Sequence, residues 1–440
     1  MNQKIIIEGG RKLKGEVTIS GAKNAALKLM AAALILDDTC EIYNVPELTD
    51  VSTMAKLLQT LGAKVDYDKN EKKITINSEN IDNVEAHYDF VSKMRASFIV
   101  LGSLLGRFHE AKVALPGGCS IGERRIDLHI KGLESLGAQI KIEGGYVIAK
   151  AKKLTGAKIY LDRPSVGATE NILLAAVLAE GSTVLSNAAQ EPEIIDLANF
   201  LNAMGADISG AGTSEIIING VRQKDLKPLS YTTIPDRIEA GTYISAIMAT
   251  RGKAIIRNIF PNHLSAVISK VIEMGGKISV LDPFSIEVAC NGKPNAVNIV
   301  TQPYPGFPTD LQSPFISALA VAEGVSIVTE NLYENRFRQM GELTRMGADV
   351  QQESNKAIIK GVRSLTGAQL IAPDLRAGVA LIIAGLCADG VSEITDIHHV
   401  DRGYEKIIEK FSALGANIKR VDSEDNNIDA MINNMDETIF

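Results

Sequence analysis

The sequence predicts an α/β protein assembled from six copies of one unit, and two observations lead to that prediction. The first is a recurring five-residue pattern, Leu/Met-Gly-Ala/Gly-x-Val/Ile. Its copies begin at Leu61, Leu136, Met204, Met274, Met346 and Leu414, at steps of 75, 68, 70, 72 and 68 residues. The second is an apolar stretch of helical length before each copy. A period of this kind is the signature of a repeated structural unit, so six units account for almost the whole chain.

Each copy of the pattern lies where an amphipathic helix ends and a strand begins. Before the third copy, Ile194, Leu197, Ala198 and Leu201 follow the i, i+3, i+4, i+7 spacing of a helix. The glycine of the pattern has no Cβ and can adopt the left-handed conformation that ends a helix. The alternating residues after it are typical of a strand. Each unit is therefore predicted to contain an outer helix, a glycine cap and a strand.

A second helix in each unit is apolar on almost all sides, which is typical of a buried helix. The six stretches are 25–36, 96–105, 171–179, 240–249, 311–322 and 377–388. A turn and a β-rich run follow each of them, such as CEIYNVP from Cys40. The predicted order in a unit is strand, helix, strand, helix, strand, strand.

Six units are too many for one hydrophobic core, so we expect two domains of three units. Proline, serine and threonine interrupt the periodicity between Pro228 and Pro235, which places the boundary there. The opening strand, residues 4–9, could belong to either domain. The acidic, asparagine-rich residues from Asp422 to the end predict a weakly ordered tail.

Net charge, cysteine and histidine spacing and the length of apolar runs exclude several classes of protein. A net charge of -7 argues against a protein that holds nucleic acid by general basicity, so any anion site must be local. The four cysteines form no CxxC pair and the six histidines show no HExxH spacing, so we expect no disulfide, no structural metal and no cofactor. No signal peptide is evident, and apolar runs such as 172–179 are too short to span a bilayer. We expect a cytoplasmic protein.

The stretch Leu115–Arg125, LPGGCSIGERR, combines a thiol with three glycines, a carboxylate and two arginines. The glycines allow backbone N–H groups to turn toward an anion, and the arginines favour the reactive thiolate of Cys119. A chemical role and a structural role as a small buried residue both stay open. A P-loop is excluded, because Glu123 and Arg124 stand where lysine and serine or threonine are required.

Three cations lie where buried helices begin: Lys23, Arg95 and Arg376. The helix dipole opposes a cation at this end, so these placements indicate an anionic ligand. The acidic and polar residues at such ends, among them Asp310, are open to two interpretations. Each is either a helix cap or a functional group, and we leave both open for Asp310 and for the pair Thr169 and Glu170.

These residues carry a resemblance to the family of UDP-N-acetylglucosamine enolpyruvyl transferases over residues 1 to about 420. The motifs occur in the family's order. They are GAKNAAL around Lys23, LPGGCSIG around Cys119, SVGATEN from Ser165, EPEIIDLANFL from Glu191, IPDRIEAGT around Asp236, PGFPTDLQ around Asp310, ENRF around Arg336, DLRAG around Asp374 and DRGYE around Arg402.

The resemblance implies two inside-out α/β barrel domains with the active site in the cleft between them. Residues 23–232 would form the first domain, 1–22 plus 233–424 the second, and 425–440 an acidic tail. The implied enzyme transfers the enolpyruvyl group of phosphoenolpyruvate to the 3′-hydroxyl of UDP-N-acetylglucosamine and releases phosphate. This is the first committed step of peptidoglycan synthesis, on which cell shape and division depend. The cysteine loop would be a lid over the site.

The resemblance also assigns catalytic roles. Cys119 matches the proton donor, which also forms a covalent adduct with phosphoenolpyruvate. Lys23, Arg124 and Arg402 match the groups that grip phosphoenolpyruvate. Asp310 matches a contact to the sugar and would be the base, or the proton relay, for the attacking hydroxyl.

Further positions match the substrate-binding residues of the family. Asn24 matches a contact to the sugar, and Asp374 and Arg376 match a pair near the reacting centre. The nucleotide-sugar site would be lined by Arg95, Arg124, Arg125, Ile126, Asp127, Leu128, Arg163, Pro164, Ser165, Val166 and Leu332. Arg125 replaces a common proline and Arg163 a common lysine, from which we expect altered uridine packing without loss of activity.

Two other functions are weighed against this one. The sister enzyme that transfers the same group to shikimate 3-phosphate shares the repeat architecture, but the cysteine loop and the EPEIIDLANFL stretch favour the nucleotide-sugar enzyme. A catalytically silent paralogue could bind the nucleotide sugar as a sensor. The presence of Cys119, Asp310, Lys23 and Arg402 argues against it, since a silent relative has no need of a lid thiol.

Overall fold

The computed structural model describes residues 3–92, 94–116 and 126–422, and it arranges their strands in six four-stranded sheets. The elements up to the predicted boundary are β1 (Gln3–Glu8), β2 (Lys14–Thr18), α1 (Lys23–Ala32), β3 (Thr39–Tyr43), α2 (Thr49–Thr60), β4 (Lys64–Asp68), β5 (Lys73–Asn77), β6 (Glu85–Ala86), α3 (Tyr88–Val91), α4 (Val100–Phe108), β7 (Glu110–Ala114), α5 (Asp127–Ser135), β8 (Gln139–Glu143), β9 (Tyr146–Lys150), β10 (Lys158–Tyr160), α6 (Val166–Ala176), β11 (Ser182–Ser186), α7 (Pro192–Met204), β12 (Asp207–Ser209), β13 (Glu215–Asn219) and β14 (Leu229–Thr232).

The remaining elements are α8 (Arg237–Ala249), β15 (Lys253–Arg257), α9 (Ser265–Glu273), β16 (Lys277–Asp282), β17 (Ser285–Ala289), β18 (Ile299–Val300), α10 (Thr309–Leu319), β19 (Val325–Thr329), α11 (Met340–Arg345), β20 (Asp349–Glu353), β21 (Lys356–Lys360), β22 (Gln369–Ile371), α12 (Leu375–Cys387), β23 (Val391–Thr395), α13 (Ile407–Ala413) and β24 (Asn417–Asp422). The middle of the cysteine loop, residues 117–125, and the tail after residue 422 lie outside the described residues.

The predicted order of elements in a unit is confirmed. In the third unit, β10, α6, β11, α7, β12 and β13 follow one another along the chain. Strand β10 pairs in parallel with β11, and β13 pairs antiparallel with both β11 and β12. The crossover between the two parallel strands is the buried helix α6, as expected for a βαβ connection.

Three strands join sheets far from their own position in the sequence. Strand β14 pairs in parallel with β3, and β2 pairs in parallel with β15. Strand β1, whose place the periodicity left open, lies between β23 and β24 and is antiparallel to both. The first, fourth and sixth sheets are therefore completed by segments from distant parts of the chain.

Two separate hydrophobic clusters fill the described structure. The N-terminal core consists of buried residues between 26 and 226 and contains helices α1, α4 and α6. The C-terminal core consists of residues 5–19 and 238–418 and contains α8, α10 and α12. The buried helices are the ones that the sequence predicted. None of the described helices is both long and apolar enough to cross a membrane.

The glycine caps are confirmed in all six units. The glycine of each pattern copy has a positive φ in the left-handed region: Gly62 (104°), Gly137 (100°), Gly205 (116°), Gly275 (83°), Gly347 (84°) and Gly415 (84°). Each outer helix can therefore end within one residue and feed the next strand.

Glycine-to-alanine substitutions separate two costs of adding a Cβ where φ is positive. One is the backbone strain of the positive φ, and the other is the clash of the Cβ with neighbouring atoms. A Cβ at Gly62 would lie 2.5 Å from the carbonyl oxygen of Asn80, whereas one at Gly390, φ 92°, would meet nothing within 4 Å. We expect Gly390→Ala to destabilise by about 1 kcal/mol through φ alone, and Gly62→Ala by roughly 2–4 kcal/mol. The midpoints of thermal unfolding measure the difference.

The control is Gly292→Ala, where a Cβ has open space and φ is not in the left-handed region. This variant should melt within about 1 °C of the parent protein, since exposed substitutions are mostly neutral. Equal midpoints for Gly62→Ala and Gly292→Ala would contradict the role assigned to the caps.

Candidate active site

Two of the predicted cations meet at a buried carboxylate between the two cores. Lys23 is the first residue of α1, and its side chain is largely buried. Its Nζ lies 2.9 Å from Oδ2 of Asp50, at the start of α2. Arg402, which ends the 3₁₀ turn Ile397–Arg402, places its Nε 3.0 Å from Oδ1 of the same carboxylate. The sequence had not singled out Asp50.

The charges of Lys23, Asp50 and Arg402 favour the binding of an anion beside them. Burial lowers the pKa of Lys23, and the positive charges of Arg376 and Arg402 lower it further, against the opposing effect of Asp50. Burial alone would raise the pKa of the Asp50 carboxyl, but Lys23 and Arg402 outweigh burial and lower it. Two cations thus share one carboxylate in a place with little solvent. The N-cap residue of α1, Ala22, makes no side-chain cap, and the N–H of Lys23 donates instead to Oδ2 of Asp236 at 3.4 Å.

Asp310 forms a second charged group. It lies in the first turn of α10 and accepts hydrogen bonds from the guanidinium groups of Arg336 and Arg376, the latter at 3.1 Å. The N-cap position of α10 is occupied by Pro308, so Asp310 is not the N-cap residue of this helix. Both arginines are buried, so two fixed cations form charge-assisted hydrogen bonds to this carboxylate.

Arg376 is fixed from three sides. It donates from Nη1 to the hydroxyl of Tyr404 at 3.0 Å, and that hydroxyl lies 2.9 Å from Thr242 Oγ1. Burial alone would lower the pKa of Arg376, but Asp310 and Tyr404 raise it. Asp374 caps α12 by accepting from the backbone N–H groups of Arg376 and of the next residue, each at 2.9 Å. Asp374 thereby orients Arg376 through the backbone.

Thr169 and Glu170 do not cap their helix. Ser165 caps α6 instead, accepting from the N–H of Ala168 at 3.4 Å. Thr169 accepts from the N–H of Ala189, and Glu170 pairs with Lys28 of α1 at 2.7 Å. Burial raises the pKa of Glu170 to about 7. Both side chains tie elements of the N-terminal core together.

The predicted nucleotide-sugar residues gather around the starts of α5 and α6. Asp127 and Arg163 form an exposed ion pair at 2.9 Å, which brings the two segments side by side. Arg95 begins the 3₁₀ turn Arg95–Ile99 before α4, close enough to influence the imidazole of His129. Ile126 and Leu128 flank Asp127, Pro164 and Val166 flank Ser165, and Asn24 follows Lys23 on α1.

His129 is a buried residue that the sequence reasoning missed. Its Nδ1 accepts a hydrogen bond from Asn171 Nδ2 at 2.8 Å, and its ring packs edge-on against Phe98. Burial lowers its pKa to about 3, with Arg95 and Lys28 acting in the same direction. The imidazole is therefore neutral and fixes α5 against α6.

Leu332 lies apart from that group, on the surface of the C-terminal half of the chain. It follows β19, its side chain is 37% exposed, and its N–H donates to Glu330 Oε1 at 2.8 Å. The predicted residues Cys119, Arg124 and Arg125 lie outside the described residues. The described part of the chain holds no cluster of histidine, cysteine or carboxylate side chains that could bind a metal ion.

A further contact across the cores is centred on Glu405. This buried carboxylate accepts from the N–H of Glu47 at 2.8 Å, from Lys72 Nζ at 2.6 Å and from Ser20 Oγ at 2.5 Å. Burial alone would raise its pKa, but these donors lower it to about 2. The short segment 402–405 is therefore held by three sets of contacts. Arg402 bonds Asp50, Tyr404 accepts from Arg376, and Glu405 accepts from Lys72 and Ser20.

Taken together, the geometry suits a reaction on a small, strongly anionic substrate. Lys23 and Arg402 provide fixed positive charge from opposite cores, and a carboxylate held by two arginines stands close by. Such groups can hold an anion, stabilise charge that develops on it and exchange a proton.

Comparisons with known proteins agree with this chemistry. The sequence profile of the family described as EPSP synthase (3-phosphoshikimate 1-carboxyvinyltransferase) matches residues 7–411. UDP-N-acetylglucosamine 1-carboxyvinyltransferase 2 of Carboxydothermus hydrogenoformans is 53% identical over 420 residues, which cover 95% of this chain and 99% of that protein. UDP-N-acetylglucosamine 1-carboxyvinyltransferase of Geobacter metallireducens is 51% identical, covering 95% and 99%.

Solved structures agree with the fold. The enolpyruvyl transferase NikO from Streptomyces tendae superposes with a TM-score of 0.86 at 25% identity, over 96% of this chain and 100% of that one. EPSP synthase from Acinetobacter baumannii gives a TM-score of 0.75 at 20% identity, again over 96% and 100%, and this likeness concerns the fold alone. The predicted two-part α/β architecture is confirmed.

The Glu405 contact predicts a pH-dependent contribution to stability. Because the pKa of Glu405 is about 2 in the folded chain and 4.5 ordinarily, its contribution is complete above about pH 5 and is lost as the pH falls toward 2. Glu405→Gln should therefore lower the thermal midpoint by several degrees at neutral pH, and the difference should shrink as the pH falls to about 4. The exposed Glu143→Gln serves as control. A difference independent of pH would contradict the assignment.

Proposed function

The chain belongs to the family of EPSP synthase (3-phosphoshikimate 1-carboxyvinyltransferase), and on that premise we propose that it transfers the enolpyruvyl group of phosphoenolpyruvate to the 3′-hydroxyl of UDP-N-acetylglucosamine, with release of phosphate. One observation carries the choice of acceptor. Relatives that share half or more of their residues over almost the whole chain are named UDP-N-acetylglucosamine 1-carboxyvinyltransferase. The reaction is the first committed step of peptidoglycan synthesis.

Phosphoenolpyruvate matches the charge of the site. It carries a phosphate and a carboxylate, and Lys23 and Arg402 offer one cation from each core. Arg124, from the loop, would add a third. A site divided in this way is complete only when the two cores are close, as they are where Asp50 joins Lys23 to Arg402. We propose the two cores as domains comprising residues 23–232 and residues 1–22 plus 233–424.

The chemistry is an addition followed by an elimination. The hydroxyl oxygen attacks the central carbon of phosphoenolpyruvate as the methylene carbon gains a proton. Loss of phosphate and of a proton from the new methyl group then restores the double bond. Asp310 would accept the hydroxyl proton, since its carboxylate is oriented by hydrogen bonds from Arg336 and Arg376. Cys119 would deliver the proton to the methylene.

The acceptor would lie along the starts of α1, α5 and α6. Asn24 and Asp310 would contact the sugar, and the segments 126–128 and 163–166 would face the nucleotide with Arg95 and Leu332. The ion pair between Asp127 and Arg163 keeps the two segments at a fixed separation. Arg125 would add positive charge near the uracil. A cytoplasmic location stays a prediction.

Release of phosphate tests the function directly. Phosphoenolpyruvate is incubated with the purified protein and either UDP-N-acetylglucosamine or shikimate 3-phosphate, with a sample lacking acceptor as the blank. We expect phosphate and an enolpyruvyl product only with the nucleotide sugar. Phosphate release with shikimate 3-phosphate alone would show that the chain has the activity of the sister enzyme. Phosphate release with neither acceptor would contradict the proposal.

Asp310→Asn tests the base. The amide can still accept a hydrogen bond from Arg336 or Arg376, so substrate binding should be nearly intact while kcat falls by roughly two to four orders of magnitude. Steady-state kinetics for both substrates provide the measurement. The exposed Asp349→Asn, on β20, should leave kcat unchanged. A change confined to KM would reassign Asp310 to substrate binding.

Selective alkylation tests Cys119. Burial raises the pKa of Cys40 and of Cys387 to about 12, and it raises that of Cys290, so these thiols are poor nucleophiles. A small phosphonate epoxide that resembles phosphoenolpyruvate should modify Cys119 alone, and faster with UDP-N-acetylglucosamine present. Peptide mass mapping identifies the site, with Cys119→Ser as control. Full activity after stoichiometric labelling would remove the thiol from the mechanism.

A further inference from the structure

Asp50 is a buried acidic residue at the start of an outer helix. It is the second residue of α2, yet it makes no cap hydrogen bond to that helix. Its side chain is only 5% exposed. Sequence alone gives no reason to bury it, because an acid in a first helical turn is normally stabilised by the dipole while it stays in water.

Both carboxylate oxygens of Asp50 are used, and each faces a different core. Oδ2 accepts from Lys23 Nζ at 2.9 Å, and Oδ1 accepts from Arg402 Nε at 3.0 Å. Lys23 and Arg402 are separated by most of the chain, and their side chains meet only through this carboxylate among the described contacts. Asp50 therefore fixes where two cations from opposite sides of the cleft stand.

We propose that Asp50 is a positioning residue for phosphoenolpyruvate, which aligns Lys23 with Arg402 across the cleft and supplies the negative charge that lets both remain there as cations. The proposal rests on the proposed function, and it adds a residue and a role to it. Preorganised cations need no rearrangement when the anion arrives, which is the usual advantage of an electrostatic site.

The surroundings of Lys23 show why a counter-charge is needed. From α12 the site receives the positive charge of Arg376, and from the 3₁₀ turn that of Arg402. Burial disfavours the ammonium form as well. Two carboxylates oppose these positive charges. Asp50 accepts a hydrogen bond from Nζ of Lys23, and Oδ2 of Asp236 accepts one from the backbone N–H of Lys23 at 3.4 Å. Removing the charge of Asp50 leaves Lys23 among positive charges, so its pKa must fall.

Arg402 depends on Asp50 in a different way. Its side chain is 38% exposed and long, so it has many conformations unless something holds it. The bond from Nε to Asp50 leaves the outer nitrogens of the guanidinium directed elsewhere, where an anion can meet them. Without this bond, binding the substrate would also require ordering the arginine.

The packing of α2 against the N-terminal core does not depend on Asp50. Helix α2 is held to the N-terminal core by an apolar face made of Val51, Met54, Leu57 and Leu58, all fully buried. Asparagine has nearly the same shape and can still accept one hydrogen bond. Asp50→Asn should therefore fold, and its effect should appear in binding and in pH dependence.

The experiment compares the pH profile of kcat/KM for phosphoenolpyruvate, at saturating UDP-N-acetylglucosamine, in the parent protein and in three variants. In Asp50→Asn, the decline at high pH should move down by at least about one pH unit, because Lys23 loses its proton earlier. We expect kcat/KM to fall about tenfold near pH 6.5 and about a hundredfold near pH 8.5. The KM for UDP-N-acetylglucosamine should change little.

Two matched variants give the controls. Asp50→Glu keeps the charge and should restore the position of the high-pH decline, even where kcat stays lower. Asp196→Asn removes an equally buried acid of α7 that bonds Tyr231 at 2.7 Å and contacts neither Lys23 nor Arg402. Its profile should follow that of the parent protein.

The outcomes separate this proposal from the proposed function. If the parent protein releases no phosphate with UDP-N-acetylglucosamine, the function is wrong; calorimetric binding of phosphoenolpyruvate over the same pH range then makes the Asp50 comparison without turnover. If the parent is active and Asp50→Asn keeps its high-pH decline in place, the inference is wrong. A shift of the same size in Asp196→Asn would also overturn it.

Discussion

Charges buried where the two cores meet are the constraint on which the site depends. A single buried charge is costly, so each one here has a partner, and most partners come from another segment. Asp50 joins Lys23 to Arg402, and Glu405 joins Ser20 to Lys72. The same contacts that make the charges tolerable also define how the cores approach each other. The contacts that hold the two cores together therefore include residues proposed to bind the substrate.

The connection between the cores explains why Lys23 is so well placed. The chain passes from one core to the other next to Gly21 and Pro235, which form an isolated bridge. The N–H of Ala22 donates to the carbonyl of Ile234 at 2.7 Å, and Asp236 caps α8 immediately afterwards. Lys23 is thus the first helical residue after the crossing. A rotation of the cores about this point would break the bridge that Asp50 makes between Lys23 and Arg402.

Much of the fold could be predicted because its signals are local. A helix that ends at a glycine and a helix that is apolar on all sides can both be recognised within about fifteen residues. The cations at helix starts, Lys23 and Arg376, were found in this way. Asp50 was not, because its importance arises only from a contact with a residue far along the chain. Arg336 was named only through the ENRF motif, and its contact with Asp310 was not predicted. The sheet position of β1 was hidden for the same reason, since pairing with β23 and β24 leaves no trace in its own six residues.

The placement of β1 and β2 also sets the order in which the protein can be completed during synthesis. Strand β1 has no neighbours in its sheet until residues 391–422 have been made, and β2 has none until β15 has been made. The N-terminal core closes much sooner, when β14 emerges, because all its other strands have already been made. The N-terminal core can therefore form during translation, while β1 stays unpaired until β23 and β24 have been made.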